Sequence, residues 1–173
     1  MRTRILALAL ATIGLLVSTG VTPASAEEDY LTTPTSGEGC LAPLWGSRDA
    51  GAYIGFEPCD KTKVQAWRRA NKGGGWYTYQ SLTSDLCLTV LSTGPAEGAD
   101  VVQQPCADTP AQRWKFVQRD PVAVAVEVRS QLTDKCLSAG RVQHTAPSDV
   151  VTLDCLNVSW QKWAPYRWEP PTS

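Results

Sequence analysis

The chain has 173 residues, with 16 basic and 17 acidic side chains, a single histidine and a formal net charge of −1. Because it is close to neutral and lacks a run of basic residues, nucleic acid and anionic membranes are not expected as partners. The length allows one domain with a sizeable core and is too short for two.

The first 26 residues have the order of a secretory signal peptide. Arg2 and Arg4 precede an apolar run over residues 5–17, and the small residues 24–26 stand just before the acidic Glu27. The apolar run is shorter than the roughly 20 residues that a transmembrane helix needs. Cleavage after residue 26 leaves 147 residues with 14 basic and 17 acidic side chains, and predicts a protein that is secreted and not inserted in a membrane.

A polar leader, residues 27–39, follows the signal peptide, and a first strand is expected there near Tyr30. The domain proper is predicted over residues 40–168. It divides into three repeats at about residues 30–75, 76–121 and 122–168, and a short tail, residues 169–173, is expected to fray.

The three repeats share a fixed frame of cysteine, glutamine and tryptophan. The two cysteines of each repeat are 19 residues apart, a glutamine follows the second cysteine by six residues, and a tryptophan comes two residues later. These positions are Cys40, Cys59, Gln65 and Trp67; Cys87, Cys106, Gln112 and Trp114; and Cys136, Cys155, Gln161 and Trp163.

Six cysteines in a secreted chain indicate disulfides, with 15 possible pairings from the count alone. Pairing within repeats is the one scheme that uses local partners and respects the symmetry, so it predicts Cys40–Cys59, Cys87–Cys106 and Cys136–Cys155. A thiolate metal site would need clustered Cys-x-x-Cys or histidine spacings, which the sequence lacks. We therefore expect neither a metal nor another cofactor.

Alternating apolar residues predict strands throughout the repeats. Residues 76–79 form a β-prone run after the glycine-rich turn at residues 72–75. Residues 122–129 place valine at every second position, which predicts a strand with four valines on one face and Glu127 on the other.

Nine apolar positions recur with the repeat and predict a shared core. A leucine follows each first cysteine, an aliphatic residue precedes each second cysteine by five positions, and the repeated tryptophans complete the set. Besides those tryptophans, they are Leu41, Leu88, Leu137, Ile54, Val101 and Val150. Since no segment after the signal peptide sustains a helical pattern, the fold class is all-β, with the three units closing around a pseudo-threefold axis.

Three Gln-x-Trp signatures in register with three cysteine pairs resemble the ricin-B-type β-trefoil lectins. The resemblance covers about residues 30–168. It implies a β-trefoil of twelve strands with one potential ligand pocket in each repeat, in addition to the disulfide that the spacing predicts there. It also implies that the Gln-x-Trp residues are architectural.

Sugar-binding members of that family imply three ligand residues in each repeat. An aspartate two residues after the first cysteine binds two hydroxyls, an aromatic residue two before the second cysteine stacks on the sugar, and an asparagine precedes Gln-x-Trp. The aspartate positions here hold Ala42, Thr89 and Ser138, the stacking positions Glu57, Gln104 and Leu153, and the asparagine positions Val64, Ala111 and Trp160. Because none of the nine matches, recognition is expected to use atypical sugar sites or a protein partner.

Trp45 is the strongest candidate for a ligand or partner contact. The other two repeats have Ser92 and Arg141 at its position, so the repeat does not require it in the core. The alternative is a loop tryptophan folded back over the first pocket. The further candidates are Arg48, Asp49, Tyr53, Glu57, Gln104 and Trp160.

Three of the further candidates also have a structural interpretation. Trp160 fills the cavity of a lost sugar site in that interpretation, and Glu57 and Gln104 are solvated surface residues.

The sequence does not favour an enzyme. His144 is the only histidine, and no nucleophile elbow or second base accompanies it. Carboxylate pairs such as Asp134 and Asp154 are uninformative for a glycosidase without geometry.

The predicted function is therefore a secreted, non-catalytic binding module for a cell-surface glycan or a secreted protein. The family includes trefoil subunits of secreted bacterial toxins. An adhesion or assembly subunit of a multi-protein toxin complex is thus the alternative, and a hydrolase ranks last.

Overall fold

The computed structural model describes residues 39–91, 98–122, 124–139, 150–167 and 169, and the backbone of residues 27–33. All of its strands fall into the three repeats, four in each, and they lie in one sheet. The strands are β1 Glu27–Thr33, β2 Gly39–Pro43, β3 Ile54–Pro58, β4 Trp67–Asn71, β5 Trp76–Ser81, β6 Cys87–Val90, β7 Ala99–Gln104, β8 Trp114–Val117, β9 Glu127–Ser130, β10 Cys136–Ala139, β11 Val150–Leu153 and β12 Ala164–Arg167. The described residues contain four short 3-10 turns and no α-helix, so the all-β prediction is confirmed.

The first and fourth strands of each repeat form a closed barrel. Antiparallel pairs join β1 to β4, β4 to β5, β5 to β8, β8 to β9, and β12 back to β1. A bridge between Val126 and Trp163 connects the start of β9 to the end of the third repeat. Closure leaves no free edge around this ring, which removes the exposed sheet edge that would otherwise invite aggregation.

The second and third strands of each repeat form three hairpins that close one end of the barrel. The hairpins are β2–β3, β6–β7 and β10–β11. β7 pairs with β11, and a bridge between Tyr53 and Val102 connects the first hairpin to the second. This arrangement of a six-stranded barrel and three hairpins is the β-trefoil that the family resemblance implies.

The nine repeated apolar positions all lie in one core. Each of their side chains is 0 or 1 % exposed, and all nine belong to one cluster of contacting residues. Burial of nine related side chains removes from water the apolar surface that no single repeat could hide by itself. The core therefore depends on all three repeats at once.

The valine-rich segment departs from the prediction. The strand begins only at Glu127, while Val122 and Val124 are 87 and 72 % exposed. β9 pairs with β8, and β8 ends at Val117 opposite Glu127. Alternation alone therefore predicted too long a strand, because an apolar face is buried only where a neighbouring strand exists to cover it.

The face opposite the valines is also buried at one position. Glu127, assigned to the opposite face from the valines, is fully buried. Arg119 Nε donates to its Oε2 at 2.9 Å, and this ion pair offsets part of the desolvation cost of the carboxylate.

The six cysteines form the three predicted bridges, Cys40–Cys59, Cys87–Cys106 and Cys136–Cys155. Each closes a loop of 19 residues within one repeat, which stabilises the fold by roughly 3 kcal/mol on the chain-entropy model. Among the described residues, no helix is long and apolar enough to cross a membrane.

Candidate functional site

The Gln-x-Trp residues form the same hydrogen bonds in every repeat. The indole nitrogens of Trp67, Trp114 and Trp163 donate to the carbonyls of Leu41, Leu88 and Leu137 at 2.9–3.0 Å. Each glutamine oxygen accepts from the backbone after the second cysteine, and its nitrogen donates to a carbonyl just before it. The indoles thus tie β2, β6 and β10 to the Gln-x-Trp segment, and the glutamines close the turn after each second cysteine.

The positions of the missing sugar-binding aspartates are closed to ligand. Ala42, Thr89 and Ser138 are all buried. The hydroxyls of Thr89 and Ser138 donate to the carbonyl two residues earlier and accept from Gln112 and Gln161 Nε2 at 3.1 and 3.0 Å. A hydroxyl used in this way is not available to a sugar, so these positions hold the framework together instead.

The first repeat lacks this hydroxyl, which gives a prediction about stability. Within the described residues, the Gln65 amide nitrogen has one acceptor, Pro58 O at 2.7 Å. We expect Ala42→Ser to supply a second acceptor and raise the free energy of unfolding by about 1 kcal/mol, measured by urea denaturation. Thr89 and Ser138 show that the same backbone position accommodates a hydroxyl.

Ser138→Ala is the matched control for this change. It should lower the free energy of unfolding by about 1–3 kcal/mol, because it leaves an amide hydrogen of buried Gln161 without its hydroxyl acceptor. If Ala42→Ser were destabilising while Ser138→Ala was neutral, the hydroxyl would contribute nothing at this position.

Trp45 stands out from the rest of the surface. Its side chain is 86 % exposed, so it is not folded back over the first pocket. Its backbone has φ 55° and ψ 25°, the left-handed conformation that costs a bulky side chain roughly 1 kcal/mol. An exposed aromatic ring held at such a cost indicates a functional constraint rather than a packing requirement.

The segment that carries this residue, residues 44–53, is here called the Trp45 loop. It connects β2 to β3 and begins with a 3-10 turn at Leu44–Gly46. Arg48 and Asp49 are exposed on it, and Tyr53, at its end, is 51 % exposed. Four of the seven candidate residues therefore lie on one loop.

Glu57 holds the start of this loop instead of lying free in solvent. It is half-buried on β3, and its Oε1 accepts a hydrogen bond from the backbone N–H of Trp45 at 3.1 Å. The residue at the former stacking position thus supports the strained backbone of Trp45. Its side chain also remains partly exposed at the surface.

The remaining two candidates are half-buried and lie in other repeats. Gln104 ends β7, and its side-chain nitrogen would lie 4.0 Å from a Cβ added to Gly51, so it borders the Trp45 loop. Trp160 lies in the 3-10 turn Ser159–Gln161 of the third repeat. Ser92, Arg141 and His144 fall outside the described residues.

Glu127 and a neighbouring disulfide form the one group in the described residues that resembles a metal site. A carboxylate oxygen of Glu127 and the sulfurs of Cys136 and Cys155 lie within 4.8 Å of one another. Both sulfurs belong to a disulfide and offer no thiolate, which is the form that binds metal. Lys162 Nζ lies 3.8 Å from Glu127 Oε1, so cations already neutralise the carboxylate.

Other acidic residues also serve in ion pairs. Asp134 accepts from Arg129 at 3.2 Å and Asp154 accepts from Lys135 at 2.7 Å.

Asp108 is an acidic residue whose titration is displaced by neighbouring cations. The Arg113 guanidinium, with Nε 3.1 Å from Asp108 Oδ1, holds the pKa of that carboxyl below its usual value, and Lys72 at 3.4 Å adds to the effect. Because the folded-state pKa is depressed, these contacts contribute stability above the unfolded pKa. That contribution is lost as the pH falls through the folded-state pKa of Asp108. It is small because the site is exposed to solvent.

The chain is similar in sequence to one protein family and in fold to several solved structures. The sequence model described as the ricin-type β-trefoil lectin domain matches residues 30–163. Among curated proteins, none matches the chain in sequence.

Several solved structures are similar at low sequence identity. A designed threefold-symmetric protein, ThreeFoil, has a TM-score of 0.72 at 21 % identity, with 80 % of this chain and 96 % of that chain covered. The Polyporus squamosus lectin has a TM-score of 0.69 at 12 % identity, covering 84 % of this chain and 50 % of the lectin. A chain of the cytolethal distending toxin from Actinobacillus actinomycetemcomitans has a TM-score of 0.65 at 16 % identity, covering 85 and 94 %.

These structural similarities establish the fold, and the sequence model establishes the family over 134 of the 173 residues. The chain belongs to the ricin-type β-trefoil lectin domain family.

Proposed function

We propose that this protein is a secreted, non-catalytic binding module that recognises its ligand through the Trp45 loop. The exposed ring of Trp45 on a strained backbone is the observation that carries this proposal. Tryptophan, tyrosine and arginine dominate the energetics of protein interfaces, and Trp45, Tyr53 and Arg48 bring all three types to one loop.

A protein partner fits this loop best. Trp45 projects into solvent, so a ligand must supply the pocket that buries it, and a folded protein surface can do so. The positions that hold aspartate in sugar-binding relatives are buried here and lack a carboxylate, which also favours a partner other than a sugar in the usual pockets.

A glycan read by atypical residues is the second candidate. The Polyporus squamosus lectin, which shares the fold, is bound to the sialylated trisaccharide Neu5Acα2-6Galβ1-4GlcNAc in its structure. Trp45 offers a stacking face, and Asp49 and Glu57 offer carboxylate acceptors nearby. Such a site would differ from the usual one in every residue.

Membership of a toxin complex is a more specific form of the protein-partner proposal. The likeness to a chain of cytolethal distending toxin, of which 94 % is covered, supports it. An adhesion or assembly subunit would need a rigid exposed anchor and no catalytic residues.

Capture from the native secretion medium distinguishes these ligands. We expect the tagged mature chain to recover one secreted protein in stoichiometric amount, and the purified pair to reassociate in vitro. The same protein should show no binding to galactose or lactose at millimolar concentration, where even weak sugar sites of about −4 kcal/mol would be seen. Glycan-array binding inhibited by free sugar, with no stoichiometric protein, would instead favour the atypical lectin.

Activity panels test the non-catalytic part of the proposal. We expect no turnover of glycosidase, esterase or peptidase substrates by the purified mature chain. Turnover that His144→Ala abolishes would contradict the proposal, because that side chain is the only neutral-pH imidazole base in the sequence.

A further inference from the structure

We propose that Gln103 is a positioning residue that holds the Trp45 loop in its binding conformation from the neighbouring repeat. This inference rests on the proposed function of the loop. Gln103 lies on β7 of the second repeat and is fully buried, and neither the repeat frame nor the family's sugar-binding residues include it.

Both hydrogens of the Gln103 amide reach the Trp45 loop. Its Nε2 donates to Ser47 O at 2.9 Å and to Asp49 O at 3.0 Å. Its Oε1 accepts from Ser84 Oγ at 2.8 Å. The side chain therefore uses both amide hydrogens and its oxygen, and it links the first repeat to the second.

The backbone of Gln103 adds two more bonds to the same loop. Gly51 N–H donates to Gln103 O at 2.8 Å, and Gln103 N–H donates to Ala52 O at 3.0 Å. Gly51 has φ 86°, a conformation that glycine adopts without strain. Together these bonds hold the loop on the Tyr53 side of Trp45, while Glu57 holds the Trp45 amide itself.

The corresponding residue of the third repeat shows which part of this contact is special. Thr152 stands three residues before its second cysteine, as Gln103 does, and its carbonyl accepts from Gly98 N–H at 3.0 Å. Its hydroxyl lies 3.5 Å from Ala99 O, at the limit of a hydrogen bond. The backbone hydrogen bond to the carbonyl therefore occurs in both repeats. The two side-chain hydrogen bonds that Gln103 donates have no counterpart at Thr152, and they lie beneath the Trp45 loop.

The physical consequence is preorganisation of an exposed aromatic ring. A surface loop ordinarily gives up conformational freedom when it binds, and ordering a large side chain lowers the affinity. Buried hydrogen bonds at Ser47 and Asp49 fix the loop in advance, because breaking them would leave the Gln103 amide unsatisfied in the core. The residue acts on binding through Trp45 without contacting the ligand.

The test compares Gln103→Met with Thr152→Val. Methionine keeps the length of the side chain and removes its hydrogen bonds, while valine removes the hydroxyl at the equivalent buried position. We expect Gln103→Met to accelerate hydrogen exchange at residues 46–52 by about tenfold, equivalent to about 1.4 kcal/mol, with the β10–β11 hairpin unchanged. Thr152→Val should leave residues 46–52 at the wild-type rate.

A second readout follows Trp45 alone. In protein labelled with 5-fluorotryptophan, the fluorine resonance of Trp45 is identified as the one that is absent from Trp45→Phe. In Gln103→Met this resonance should shift towards that of free fluorotryptophan. In Thr152→Val it should stay unchanged. Should Gln103→Met fail to fold, Ser84→Ala removes the donor to Oε1 while keeping the amide, and a smaller change of the same kind is expected.

Two outcomes would overturn the inference. One is wild-type exchange at residues 46–52 together with an unshifted Trp45 resonance. The other is an equal acceleration over the whole chain, which would give Gln103 a merely structural role. Both readouts are made without a ligand, so they test the positioning role separately from the proposed function. If the loop loosens as expected but Trp45→Ala leaves binding unchanged, the proposed function is refuted and the positioning role stands.

Discussion

Trp114→Ala should lower the free energy of unfolding by about 3–5 kcal/mol, measured by urea denaturation with the disulfides intact. The ring is fully buried in the core cluster, so its removal leaves a cavity as well as losing apolar contacts. It also removes the donor to Leu88 O at 3.0 Å. Both losses act on the interior that the three repeats share.

Trp114→Phe is the control that separates these two losses. Phenylalanine keeps most of the buried apolar surface and lacks the N–H, so we expect a smaller loss of about 1–3 kcal/mol. An alanine variant that lost less than 1 kcal/mol would show that the second-repeat tryptophan is not part of a common core. Trp67→Ala and Trp163→Ala should resemble Trp114→Ala, since their indoles have the same burial and the same bond.

The architecture could be predicted because the sequence repeats it. Cysteines 19 residues apart, followed by Gln-x-Trp, recur three times, and each recurrence carries the same disulfide, turn and tryptophan bond. A repeated local frame leaves few ways to bury three tryptophans other than around a common axis. The fold is therefore determined by short-range pattern, which a sequence displays directly.

The end of a strand was harder to predict than its existence. Alternating valines satisfy the pattern of a strand over residues 122–129, but β8 provides a partner only from Glu127 onwards. At Val122 the backbone N–H instead donates to Asp120 Oδ1 at 3.0 Å, in a turn. The burial of Glu127 depends on Arg119 and Lys162, and ion pairs of this kind are invisible in a period-two pattern.

The candidate site could be predicted in part. Trp45 was recognised because the other repeats do not share it, and its neighbours on the loop followed from proximity in sequence. Gln103 was missed, since its contacts join residues 54 and 56 positions apart across a repeat boundary. The one signal in the sequence was a glutamine at the position where the other two repeats have Phe56 and Thr152.

Trp45→Ala should weaken binding to the protein partner recovered from the secretion medium by about 2 kcal/mol or more, roughly a 30-fold rise in Kd. The ring is 86 % exposed in the free protein, so the surface that it buries in a complex is new burial. Because Gln103 and Glu57 already fix the loop, little of that gain is offset by ordering. Isothermal titration calorimetry with the purified partner measures the change.

Thermal stability is the control for this prediction. Trp45 contributes little to the core and its left-handed backbone disfavours a bulky residue, so the alanine variant should melt within a few degrees of the wild type. Val122→Ala, at an equally exposed apolar residue outside the Trp45 loop, should leave Kd unchanged. Equal losses from both variants would indicate a diffuse apolar contact, and a Trp45→Ala protein that binds normally would place the recognition surface elsewhere on the trefoil.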